Sequence, residues 1–297
     1  MSLPQAFGQN GPGGAAALAG ERPSQARWQP QLARRARRLQ WASLAALALA
    51  VEAVARWGWV SPSTLVPATS MVQQLVRWVA GGAIPSAYFA RTGSPSLWVH
   101  VAATAQAVLW SFLLAVLTGT AVGVAMWRAP GLARAVYPYL LLYYAVPTFA
   151  LYPLLILLFS SGMAPIVTLG WLFSVAAVVA STYIGLKRVD GEVYVKVGRA
   201  LGLSSGAMLR WIYLPAAAPM LFAGWKLALT YSIIGVIASE FITSYRGLGY
   251  IIDRSYRNFE TANMYAGILL VLLCSLGVLA ALNRLERRIH RLGGQRR

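Results

Sequence analysis

The sequence predicts an all-α integral membrane protein with about six transmembrane helices. Three observations carry that expectation. Of 297 residues, 58% are hydrophobic and only 11% are charged, whereas soluble domains average about 25% charged residues. Uncharged stretches long enough to cross a bilayer recur at 101–127, 135–186 and 261–283. Lysine and arginine gather at the ends of such stretches, as membrane orientation requires. The net charge of +18 is therefore read as an orientation signal and not as a nucleic-acid footprint. Cys274 is the single cysteine, so no disulfide can form within the chain. His100 and His290 are too far apart in sequence to suggest a metal-ligand cluster.

Taken in order, residues 1–38 are rich in Gly, Ala, Gln and Arg and end in Arg34, Arg35, Arg37 and Arg38. They are expected to be a disordered, basic cytoplasmic leader. The first span is placed at 39–60. Ala53-Val54-Ala55 looks like a signal cleavage site, but the preceding polar stretch is longer than a secretory signal carries. A retained span is expected, with Glu52 and Arg56 paired at i, i+4. Residues 61–97 are mixed, with one short extracytoplasmic surface helix expected around Met71–Val79. The second span is 101–127. Its Gly119 and Gly123 form a G-x3-G that permits close helix contact. Arg128 and Arg134 mark a cytoplasmic turn.

Residues 135–186 are too long for one span and suit two, at 135–159 and 165–186, with a turn from Ser160 to Pro165. Pro138, Pro147 and Pro153 must break or kink the first of them. Freed backbone groups survive in a bilayer where they face protein or a water-lined cavity. Tyr143 to Pro153 is therefore either a wall of a solute pathway, with Tyr143, Tyr144, Pro147 and Phe149 as its candidate residues, or a kinked helix without ligand contact. Trp171 is a weaker candidate.

The stretch Asp190–Pro219 is polar and basic between two apolar spans. Val193, Val197, Ala200 and Leu201 share one face of an amphipathic helix, and Lys196 and Arg199 lie off it. Asp190 is expected as its N-cap and Gly202 as its C′ residue. Ser204 or Ser205 can cap a second short helix, and Pro215 suits the first turn of the next span. Such a helix either lies in the lipid interface or docks into a partner's groove. The fifth span, 213–242, holds Lys226, which can attract an anion, pair with a carboxylate or snorkel to the surface. Glu240, near its end, gates the outer mouth or caps a loop. A mixed-charge outer loop follows, then the last span at 261–283 and a basic tail at 291–297. With six spans, nineteen Lys and Arg fall on one side and six on the other. That bias places both termini and the amphipathic segment in the cytoplasm.

Gly202, nine residues, Ile212, one residue, then Leu214-Pro215 resembles part of the signature E-A-A-x3-G-x9-I-x-L-P of binding-protein-dependent ABC importer permeases. Lys196, Val197 and Gly198 stand at the E-A-A positions, so the charge there is reversed; Glu192 lies four residues earlier. Pro147-Thr148-Phe149-Ala150-Leu151-Tyr152-Pro153, Gly224-Trp225-Lys226-Leu227-Ala228-Leu229, and Ser239-Glu240-Phe241 with Gly247-Leu248-Gly249-Tyr250 are similar to further segments of that family. The resemblance covers about residues 60–290 and is nearest the nitrate, sulfonate and taurine subgroup. It implies a permease domain at 39–290 and a coupling segment at 190–210. The ATPase contacts would be Glu192, Val193, Lys196, Val197, Arg199, Ala200, Leu201, Gly202, Ile212, Leu214 and Pro215.

The resemblance further implies a bacterial inner-membrane importer of a small solute, an anion such as a sulfonate, taurine or nitrate, working by alternating access. Two ATPase subunits would bind ATP and Mg, a second permease copy would complete a homodimer, and a periplasmic binding protein would deliver substrate. The chain has no G-x4-G-K-[ST] loop, so no ATP site of that kind and no enzyme activity of its own is expected. Two alternatives stay open: a secondary transporter driven by an ion gradient, and a non-transporting membrane assembly protein.

Overall fold

The computed structural model describes residues 25–57, 60–61, 64–92 and 96–294. Most of the expected leader, the turn residues Pro62 and Ser63, and the terminal Arg296 and Arg297 lie outside these. Every element longer than a single bridge is helical among the described residues. α1 is Gln25–Arg56, and its apolar part is Arg38–Arg56. It starts within the stretch expected as leader. The i, i+4 pair forms, with Arg56 Nε 2.6 Å from Glu52 Oε1.

Residues from 64 onward build a separate compact unit. α2 (Ala68–Gly81) and α3 (Ala87–Arg91) precede the spans. One surface helix was expected there; the second is started by Ser86, whose hydroxyl accepts from the Tyr88 N–H. α2 buries Leu75 and Trp78 in a cluster with Phe89, Leu97, Ile251 and Leu270. α4 is Leu97–Arg128, α5 Pro130–Tyr143, α6 Tyr152–Phe159 and α7 Met163–Val189. α8 (Val193–Ala200) and α9 (Ser205–Met208) form the connector to α10, Leu214–Thr243. α11 (Leu248–Arg257) and α12 (Thr261–Gly294) complete the chain.

α4 and α7 run parallel at close range. A Cβ on Gly119 would stand 2.6 Å from Val178 Cβ, and one on Gly123 2.6 Å from Thr182 Cβ. The expected G-x3-G is therefore a helix seam. α10 runs antiparallel to α7, with Gly224 against Ser181 and Gly235 against Gly170. Two parallel neighbours must enter the membrane from the same side, so the segment between them has to cross back. That segment is α5, a 3-10 turn at Thr148–Leu151, and α6, bent by 90°. The bent pair therefore makes one crossing, and among the described residues the five long apolar helices together with it number six.

Proline explains the bend. Pro147 and Pro153 cannot donate backbone hydrogen bonds, and Pro147 disfavours helix at the residue before it. The expected turn at Ser160–Pro165 is shorter in the structure, because Pro165 sits in the first turn of α7, where no N–H is needed.

The α4–α7 seam gives a direct test. Gly123→Val gains about 0.5 kcal/mol in helix propensity but forces a side chain into backbone, since Val179 O lies 3.0 Å from the added Cβ. Overpacking of about 1–3 kcal/mol wins. A lowered thermal unfolding midpoint of the purified protein is expected, and an unchanged midpoint would refute the seam.

Candidate functional site

The connector between α7 and α10 is anchored from beneath and bare above. Val195 and Gly198 are its buried positions in α8, and Val195 packs in a cluster with Leu186, Val189, Met208, Tyr213, Ala217 and Leu221. A Cβ on Gly198 would stand 2.4 Å from Ile212 Cδ1 and 2.7 Å from Met208 Sδ. A small residue thus stands where Ile212 and Met208 cross the helix, and a larger one would push their side-chain ends aside. The predicted apolar face turns the other way. Val193, Val197 and Leu201 are 70%, 50% and 74% exposed, and Ala200 and Lys196 are exposed beside them.

Both ends of α8 follow from local chemistry. Gly202 has φ +68, a conformation glycine adopts without Cβ strain. Its N–H donates to Arg199 O at 3.0 Å and the Leu203 N–H to Gly198 O at 3.2 Å, the paired bonds of a Schellman stop. The N-cap is Glu192 and not Asp190, and it makes no side-chain cap bond. Asp190 is engaged elsewhere: its Oδ1 accepts from Tyr213 OH at 2.9 Å and from Trp127 Nε1 at 3.2 Å. Arg199 Nη2 donates to the same Tyr213 hydroxyl at 3.4 Å. One carboxylate thereby joins the connector-side ends of α4, α7 and α10 to the connector. Ser204 accepts from the Ala207 N–H and starts α9. A π turn at Leu209–Tyr213 then runs into α10, with Pro215 in its first turn. Leu214 is half-buried and Pro215 exposed.

The candidate pathway residues are divided between packing and open surface. Tyr143 donates to Leu172 O and so is tied to α7. Tyr144 is 52% exposed at the bend. Pro147 precedes the 3-10 turn and Phe149 stacks on Tyr152, with centroids 6.4 Å apart. Tyr152 is buried and accepts from the Thr243 hydroxyl at 3.1 Å. Trp171 donates to Thr118 Oγ1 at 2.9 Å. Lys226 is half-buried and pairs with Glu286 Oε2 of α12 at 2.9 Å.

Glu240 is 2% exposed. Its carboxylate accepts from Thr104 Oγ1 at 2.8 Å and from the Gly249 N–H at 3.0 Å. Thr104 Oγ1 in turn accepts from the Leu248 N–H at 2.8 Å. The first two orphan donors of α11, the Leu248 and Gly249 N–H groups, are thus satisfied. Gly247, at φ +117, has its N–H on His100 Nδ1 at 3.1 Å, and a Cβ there would lie 2.2 Å from Glu240 Cδ. No group of three or more His, Cys, Asp and Glu side chains suited to a metal ion occurs among the described residues.

Residues 111–291 match the family described as binding-protein-dependent transport system inner membrane component. The chain belongs to that family. It is the permease subunit of an ABC importer, a multi-pass membrane protein that works with a separate ATPase subunit. The taurine transport system permease protein TauC of Escherichia coli (strain K12) is 29% identical over 77% of this chain and 80% of its own. The osmoprotectant import permease protein OsmW of Salmonella typhimurium (strain LT2) is 30% identical over 58% of this chain and 82% of its own. The nitrate import permease protein NrtB of Synechococcus elongatus is 25% identical over 55% and 58%. In fold, the permease is similar to a chain of the MetNI methionine ABC transporter solved in inward-facing conformations. The TM-score is 0.57, with 18% identity, over 65% of this chain and 97% of that one. The two alternatives, a gradient-driven transporter and an assembly protein, fall with the family membership.

The sequence did not single out Trp127, Tyr213, Thr104 or His100 for the roles they hold. A tryptophan and a tyrosine near span ends are ordinary belt residues, and only the fold brings them to Asp190. Glu286 was missed as the partner of Lys226 for the same reason.

The Lys226–Glu286 pair separates structure from solute contact. Lys226→Met leaves a half-buried carboxylate unpaired and is expected to cost about 1–3 kcal/mol. The double variant Lys226→Met/Glu286→Leu is expected to recover most of the thermal midpoint and of the uptake. Recovered stability without recovered uptake would instead place Lys226 in contact with the solute.

Proposed function

We propose that this permease imports a small sulfonate or related anion across the bacterial inner membrane by alternating access, with both termini in the cytoplasm. It acts as one of two identical copies, on two ATPase subunits that bind ATP and Mg and with a periplasmic binding protein delivering the solute. The observation that carries the coupling role is the bare ridge of Val193, Val197 and Leu201 on a helix rooted by Val195 and Gly198. An apolar stripe that costs solvation on the free chain, held rigidly beneath, suits insertion into a groove of a partner. Glu192, Lys196, Arg199 and Ala200 flank that ridge. Gly202 stops the helix that carries it, Ile212 packs beneath it at Gly198, and Leu214 and Pro215 lead from it into α10.

The substrate class rests on similarity to permeases named for taurine and nitrate. Lys226 adds little to it, because its charge is already matched by Glu286. The bend at Tyr143–Thr148, with Tyr144 and Phe149 open to the surface, is the segment proposed to line the pathway. Glu240 is proposed to hold the outer loop against α4, through Thr104, rather than to touch solute.

Leu201→Glu and Val197→Glu change exposed positions and leave the spans untouched. Each is expected to reduce capture of the ATPase by roughly ten-fold or more, since burying an unpaired carboxylate in an apolar groove costs over about 1.4 kcal/mol. Co-purification measures this, with membrane insertion checked in parallel. Wild-type capture by both variants would end the coupling assignment.

A further inference from the structure

We propose that a pocket between the cytoplasmic ends of α5 and α7 holds the anionic phosphate headgroup of a membrane phospholipid. The pocket has a volume of about 680 Å³, within the ~300–1,000 Å³ range of small-molecule sites. Arg134 contributes from α5, and Lys187 and Arg188 from the last turn of α7. The floor is aromatic: Tyr137 and Tyr183 lie with ring centroids 6.0 Å apart. Lys187 Nζ stands 5.6 Å from the Tyr183 centroid, so one cation is placed by its ring.

The charges in this pocket lack carboxylate partners. The ion pairs among the described residues join Arg56 to Glu52, Lys226 to Glu286, and Arg254 and Arg257 to Asp253. None includes Arg134, Lys187 or Arg188. The negative end of α7 accounts for cations in its own last turn. It does not account for Arg134, which belongs to the other helix, α5, and lies in the half nearer its N-terminus. Three cations from two helices line one space, where a phosphate would neutralise them.

The position favours a lipid over a free anion. The pocket lies at the level where spans leave the bilayer, on the leaflet that carries anionic lipids. Leu141, one helical turn above Tyr137, is 58% exposed, which gives acyl chains an apolar track leading out of the pocket. Tyrosine side chains at headgroup depth serve as both apolar wall and hydrogen-bond donor.

The test uses the full chain in complex with its ATPase, in mild detergent. Bound lipid is counted by native mass spectrometry after titration with phosphatidylglycerol, phosphatidylcholine or inorganic phosphate. The pocket variant is Arg134→Gln/Lys187→Gln/Arg188→Gln. A charge-matched control removes exposed cations of α12: Arg284→Gln/Arg287→Gln/Arg288→Gln. Wild type and control are expected to retain phosphatidylglycerol over phosphatidylcholine, and the pocket variant to bind it roughly 100-fold more weakly, about five-fold per cation removed. Lys187→Gln alone, the milder substitution should the triple fail to fold, is expected to weaken it about five-fold. Equal losses in pocket variant and control would overturn the site in favour of general surface charge. Saturation by inorganic phosphate at the affinity of the lipid would make it a soluble-anion site. Loss of the ATPase from the pocket variant would make it part of the protein interface. Either result overturns the proposal.

Discussion

The close parallel packing of α4 and α7 is the constraint from which the rest of the membrane unit follows. Gly119 and Gly123 let two helix backbones approach until a single methyl would collide, and dispersion and lipid release favour such contact in a bilayer. Once two consecutive long helices point the same way, the chain between them must cross the membrane in the opposite sense. The only material for that crossing is the proline-rich segment of α5 and α6. A broken helix at membrane depth survives because its freed groups face protein, as Tyr152 and Thr148 do where they are buried against the bundle.

The same packing fixes how the connector is held. α7 and α10 leave and re-enter the membrane through the connector, and Asp190 ties that connector to Trp127 of α4 and Tyr213 before α10. A displacement of α8 is therefore shared among three spans. Gly198 and Ile212 stand at two positions of the importer signature and touch each other, so part of the signature encodes a fold of the connector rather than a contact with a partner. The reversed charge at Lys196 lies on the exposed side, outside that fold.

The opposite end of the unit is closed by a second polar cluster. Glu240, Thr104 and His100 satisfy the first N–H groups around α11. Asn263 accepts from Gln74 and Trp78 and donates to Glu260, which also receives the Ser86 hydroxyl. Apolar burial gives no register to helices sliding in lipid, because lipid tails are as apolar as the side chains. Directional bonds at both ends supply it. In the low dielectric of a span each such bond is costly to leave unmade.

Composition and hydropathy alone determined that this chain is a membrane protein, and proline and glycine alone marked the break within Tyr143–Pro153, the seam at Gly119 and Gly123, and the stop at Gly202. These are local properties: a missing N–H, a missing Cβ, a run of apolar residues. The amphipathic helix at Val193–Leu201 was legible in its period, but its apolar face was as consistent with burial in the chain as with a partner. Only the tertiary structure decided that Val195 and Gly198 face inward and the ridge stays bare. Asp190 read as a cap because capping is the nearest use for such a residue; the structure gives it to Tyr213 and Trp127, which lie at the ends of other spans. Partner choice for a polar side chain is set by which helices pack together, and packing is a property of the whole bundle.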